Sequence, residues 1–164
     1  VKIEIAGPRL EAGGLQASLT LTNTGAAHRL PTYATPRLIL AVFQIGAEGK
    51  PLDGSLVETV IGWSVSLDLT QEWADTRLAP EQTAVLRYQR PLLADATQVA
   101  FQVRVEPEHF YTRFYQALLE QRLTDKGEGL IRQALEASLA TRYLLFQERR
   151  GWPPGFSNTR PNVR

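Results

Sequence analysis

Period-two alternation runs through the first two-thirds of the chain and constrains its fold more than any other feature. Leu15, Ala17, Leu19 and Leu21 alternate with Gln16, Ser18, Thr20 and Thr22. Val1, Ile3 and Ile5 alternate with Lys2 and Glu4, and Val99, Phe101, Val103 and Val105 with Gln98, Ala100, Gln102 and Arg104. Ile61, Trp63, Val65, Leu67 and Leu69 repeat the pattern. An apolar residue at every second position marks half-buried strands of an antiparallel sheet. Turn signals separate these runs: Gly7-Pro8, Gly13-Gly14, the stretch 46–51 and Asp53-Gly54. No long helical stretch interrupts them, which argues against parallel β-α-β units. The expectation is an immunoglobulin-like antiparallel β-sandwich over residues 1–106. Residues 38–43, Leu-Ile-Leu-Ala-Val-Phe, are apolar on both faces. One face belongs to the sandwich core, and the other needs cover from the C-terminal helices or from a domain outside this sequence.

The period changes near residue 107. Phe110, Tyr111, Phe114, Tyr115, Leu118, Leu119 and Leu123 follow a helical stripe, and so do Leu130, Ile131, Ala134, Leu135, Leu139, Tyr143 and Phe146. The spacing predicts a helical pair over 107–150, packed on the sandwich. Pro107 suits the start of the first helix, and Asp125 with Glu128 has the spacing of a capping box for the second. From Gly151 onward, Trp152-Pro153-Pro154-Gly155-Phe156 predicts an extended tail over 151–164. A linker between sandwich and helices would be very short, so the chain reads as one structural unit. Val1 is not a translation start and the chain lacks Met, so it reads as a processed product or a domain of a longer protein.

Composition then removes whole classes of chemistry. The 164 residues contain no Cys, which excludes disulfides, thiolate zinc sites, iron–sulfur clusters and covalent haem attachment within the chain. Two His, His28 and His109, exclude a multi-histidine metal cage. A net charge of +1 gives no general attraction to nucleic acid or anionic lipid. No nucleophile-and-base motif, phosphate loop or H-E-x-x-H is present. Asp68, Glu72 and Asp75 are close in sequence without a recognisable cation-binding spacing, and read as a solvated turn. Arg132, Arg142, Arg149, Arg150, Arg160 and Arg164 make the C-terminal end basic, which reads as a solvated face or a contact for an anionic protein.

The most informative stretch is Asn23-Thr24-Gly25-Ala26-Ala27-His28-Arg29-Leu30-Pro31-Thr32. Gly25 permits a tight turn and Pro31 stiffens the exit, so His28 sits on a short, defined loop. Two readings stand: a loop histidine bonded to nearby backbone, or a metal ligand presenting one imidazole nitrogen. Arg77 likewise reads either as an intradomain ion pair holding a loop or as a contact to a carboxylate of a cofactor or of a partner. Trp63, on the apolar face of its strand, reads as a core residue. His109 reads as a surface or capping residue at a helix start.

The loop resembles a G-x-G-H-x-x-P-T-G pattern of the accessory β-domains of multihaem c-type cytochromes, with Ala27 and Tyr33 in place of two glycines. Asp75-Thr76-Arg77-Leu78-Ala79-Pro80-Glu81 is similar to a D-T-R-x-x-P-G-E segment of the same domains. The run from Val103 to Tyr111 is similar to their last strand and first closing helix. The resemblance spans most of residues 15–115. It implies a haem-free domain of an extracytoplasmic (periplasmic or extracellular) electron-transfer protein, without catalysis of its own. Its partners would be the haem-bearing region of the same protein and other redox proteins, with no nucleic acid or membrane contact. In that setting His28 would be a distal axial ligand to haem c, and Arg77 a contact to a haem propionate. The alternative is an extracytoplasmic binding or adhesion module of the same sandwich class, because sandwiches host many functions.

Overall fold

The computed structural model describes residues 1–11, 14–121 and 124–152. Gly13, Leu123 and the tail beyond Trp152, with Arg160 and Arg164, lie outside the described residues. The strands are β1 (Lys2–Glu11), β2 (Gly14–Thr22), β3 (Arg37–Gly46), β4 (Val57–Val65), β5 (Glu72–Asp75), β6 (Thr83–Arg90) and β7 (Ala96–Glu106). Helices α1 (His109–Leu119) and α2 (Asp125–Ala140) follow, and β8 (Tyr143–Gly151) closes the chain.

The strands form two antiparallel sheets, ordered β1-β2-β6 and β5-β4-β3-β7-β8. The alternating residues meet between them. Leu15, Leu19 and Leu21 of β2 and Leu86 and Tyr88 of β6 share one core with Leu38, Leu40 and Val42 of β3 and Val99, Phe101 and Val103 of β7. This is the expected β-sandwich, each sheet giving one apolar face to the core. The core contains a satisfied polar group. Gln44 is fully buried, and its amide donates to the Tyr88 hydroxyl and the Pro91 carbonyl while accepting from the Leu93 amide. A buried amide with its partners in place costs little and fixes the packing around it.

On the second face of β3, cover comes from charged side chains of the neighbouring strands and not from the helices. Ala41 is in register with Glu58 on β4, and Ile39 with Arg104 on β7. The Glu58 carboxylate and the Arg104 guanidinium pair across β3, so their stems lie over Ile39 and Ala41, which are 4% and 0% exposed. Long charged side chains cover apolar surface with their methylenes while their heads stay wet.

The C-terminal third departs from the helical expectation. Helix α2 ends at Ala140, and Tyr143 and Phe146 belong to β8, an edge strand paired with β7. Phe146 packs on the sandwich core, and Arg150 donates to the Gly7 carbonyl of β1 at 3.0 Å. The last strand therefore ties the two sheets together at one edge. The α2 cap is also shifted by one residue: the Thr124 hydroxyl accepts from the Gly127 amide, and Glu128 pairs with Arg132 along the helix.

Glu106 anchors the helical pair at the end of β7. Its carboxylate meets Arg37 of β3 at 2.6 Å, Arg142 after α2 at 3.4 Å and His109 of α1 at 3.5 Å. Burial raises its pKa, but Arg37, Arg142 and His109 together bring it below the usual carboxylate value. The helices join at a buried hydroxyl pair, Thr112 and Ser138, 2.6 Å apart and both within reach of the Glu108 carbonyl.

Candidate functional site

Asn23 organises the loop that carries His28. Asn23 ends the β2 run and is 1% exposed. Its side-chain amide donates to the carbonyls of His28 and Leu78 at 2.9 and 3.1 Å, and its oxygen accepts from the Ala26 amide. Leu30 and Leu78 then exchange two backbone hydrogen bonds of 2.8 Å. The loop is thus braced at both ends against the segment that precedes β6. The Leu30-Pro31 peptide is cis.

On this brace the His28 ring is exposed. Its Nδ1 lies 2.9 Å from the Arg29 carbonyl and 3.1 Å from the Thr32 hydroxyl. A carbonyl only accepts, so the shorter contact places a proton on Nδ1, and in the neutral tautomer that does so the lone pair is on Nε2. Nε2 has no hydrogen-bond partner among the described residues. Both sequence readings are therefore compatible in one exposed ring: one nitrogen bonds nearby backbone, and the other is left without a partner among the described residues. That is the arrangement by which a histidine is aimed at a metal ion held by something else.

Arg77 supports the loop from beside it. Its guanidinium holds the Asp75 carboxylate through two nitrogens, at 2.8 and 2.7 Å, and donates to the Thr32 carbonyl at 3.0 Å. Its central carbon lies 4.1 Å from the centroid of the Trp63 ring. The intradomain ion pair is realised in full. The bond from Arg77 holds the Asp75 carboxyl down at about 2. Trp63 departs from the core reading. It is only half-buried, with Arg77 on its face and its indole N–H donating to Glu72. The three carboxylates of this region have separate partners: Asp68 accepts from Ser66 and Thr70, Glu72 from Trp63, and Asp75 from Arg77. No group of His, Asp and Glu among the described residues is placed to hold a metal ion.

A groove opens beside the His28 loop. Tyr33, Trp63, Leu69, Phe110 and Tyr111 line it, and its volume is about 360 Å³. Tyr33 follows Thr32 directly, and the Phe110 amide donates to the Thr35 carbonyl, which fixes helix α1 as the far wall. Tyr33 is 69% exposed, Leu69 65% and Tyr111 43%. These residues come from four separate segments, so no sequence spacing announces them.

His109 does not line the groove, although its cleft shares Trp63 with it. It opens α1 in a small cleft with Arg37, Trp63 and Thr76. Burial and then the Arg37 charge push its pKa down to about 4, against the pull of Glu106. It is a neutral, structural histidine near neutral pH.

No family model matches the chain, and no curated protein matches it in sequence. Among solved structures it is similar to a penta-heme cytochrome c552 from Thermochromatium tepidum, with a TM-score of 0.60 at 16% identity. The match covers 91% of this chain and 38% of that one. At that identity the likeness is one of fold. The chain spans less than half the length of that cytochrome.

Proposed function

We propose that the chain is a haem-free accessory β-domain of an extracytoplasmic multihaem c-type cytochrome, packed on the haem-bearing region, with His28 as the distal axial ligand to one iron. The observation that carries this reading is the exposed His28 ring itself, on a loop braced by Asn23 and bonded through Nδ1, which leaves Nε2 without a partner among the described residues. The fold shared with part of a penta-heme cytochrome supports the setting. The sheet orders β1-β2-β6 and β5-β4-β3-β7-β8, with two helices before the last strand, support an immunoglobulin-like topology for this domain.

The residues fit an axial role. A neutral imidazole nitrogen is a strong-field donor for haem iron, and apolar cover around a haem sets its potential. The haem supplies the electron transfer. This chain supplies one nitrogen, the loop that aims it and a surface that excludes water. Arg77 is assigned to positioning rather than to a propionate, because its fork already holds Asp75, Thr32 and Trp63. Attachment of haem c takes place outside the cytoplasm, and no helix among the described residues is long and apolar enough to cross a membrane.

The test is haem content. The isolated chain should purify folded and colourless. The full-length gene product should carry several covalently bound haems c by the pyridine haemochrome assay and move to the extracytoplasmic fraction. A full-length product free of covalent haem would overturn the proposal.

A further inference from the structure

We infer that the aromatic groove beside the His28 loop seats the edge of the haem whose iron His28 reaches. The inference rests on the proposed axial role of His28 and names what else on this chain that haem would touch.

The groove and the histidine share their supports. Thr32 contacts the His28 ring through its hydroxyl, and its carbonyl is held by Arg77. The next residue, Tyr33, lines the groove, and so does Trp63, whose ring carries Arg77. A ring system centred on an iron opposite His28 would extend sideways from that iron, and Tyr33, next to the Thr32 that contacts the ring, brings the groove up to the His28 loop. The chemistry of the walls agrees. Tyr33, Leu69, Phe110 and Tyr111 offer flat or branched apolar surface, suited to a flat apolar macrocycle. The flanking cations have partners: Arg77 holds Asp75, and Arg113 bonds the Val65 carbonyl and covers Trp73. The groove therefore selects an apolar ring edge and not an anion. Its volume of about 360 Å³ is at the small end for a pocket that engulfs a ligand, in keeping with an edge rather than a whole macrocycle.

Exposure gives the groove its need for cover. Leu69 sits in the left-handed backbone region at φ 61° while 65% exposed, a conformation unfavourable for a branched side chain. With Tyr33 and Tyr111 it makes a continuous apolar patch, of a kind that marks a contact surface.

The test uses the full chain and a water-soluble haem peptide that carries one axial histidine and an open sixth position. Binding is read by quenching of tryptophan fluorescence, and ligation by conversion of the iron to low spin. Leu69→Ser and Tyr111→Ser should each weaken binding about tenfold, with the saturated complex still low spin. Leu130→Ser, at an exposed α2 position remote from the groove, should change nothing. Thermal melts check that the exposed groove variants stay folded. His28→Ala should keep the quenching and lose the low-spin signal. Unchanged affinity in both groove variants would overturn the seat while leaving His28 ligation standing. Low-spin conversion that survives His28→Ala, with affinity still falling in the groove variants, would overturn the ligand and leave the seat. Absence of both signals in the unmodified chain would overturn both. Self-association of the chain that the groove variants abolish would assign the groove to a second copy and overturn the seat.

Discussion

Arg77 and Trp63 are stacked: the guanidinium carbon lies 4.1 Å from the centre of the indole, while the nitrogens hold Asp75 and the Thr32 carbonyl. One side chain thereby connects the His28 loop, the end of β5 and the face of β4. Arg77→Ala should lower stability by about 1–2 kcal/mol, combining a lost cation–π contact with a lost bidentate pair. Arg77→Lys should recover little of it, because an ammonium cannot make the planar fork. Urea midpoints of the two variants check this, with His28 ring resonances reporting whether the loop has loosened.

Asp75 adds a pH dependence of known sign. Its carboxyl is held at about 2 in the folded chain, against an ordinary 3.8. A depressed carboxylate contributes stability in full above the unfolded value, and that contribution disappears as pH falls from 3.8 to about 2. Acid titration of stability should therefore fall across that window, and Asp75→Asn should flatten that part of the curve while lowering stability at pH 7.

His109 acts at higher pH. Its folded value of about 4 lies below the ordinary 6.5, so between those values the unfolded chain binds a proton that the folded chain refuses. Stability should rise with pH from 4 to 6.5 and then level off, with a slope of at most one proton, about 1.4 kcal/mol per pH unit. The groups facing it are Arg37, Glu106, Arg113 and Arg142. Replacing it by Gln should remove this slope and leave the fall assigned to Asp75. Denaturation at closely spaced pH values separates the two.

The sandwich was legible because its strands bury one face each. Leu15, Leu19 and Leu21, and likewise Val99, Phe101 and Val103, alternate in sequence and fall in one core. Strand β8 was not legible, because its inward side reads Phe146, Glu148, Arg150. Glu148 pairs with Arg150, and Arg150 bonds a backbone carbonyl of the other sheet, so polar residues occupy positions where alternation would call for apolar ones. Tyr143 and Phe146 then fit a helical stripe by accident of spacing. The cover over β3 was hidden for another reason: Glu58 and Arg104 are 46 residues apart and meet only through strand register. At the site, Gly25 and Pro31 pointed to a defined loop around His28. The bracing by Asn23, the contact of Thr32 with the ring and the placement of Trp63 under Arg77 depend on contacts between distant segments.

The central claim is that His28 supplies Nε2 to a haem iron held elsewhere in the same protein. Electron paramagnetic resonance of the full-length protein and its His28→Ala variant tests it most directly. In the variant one low-spin ferric signal should be replaced by a high-spin one, with the other haems unchanged. The domain itself should keep its fold, because an exposed loop imidazole contributes little to the core. Identical low-spin signals in the two proteins would contradict the claim.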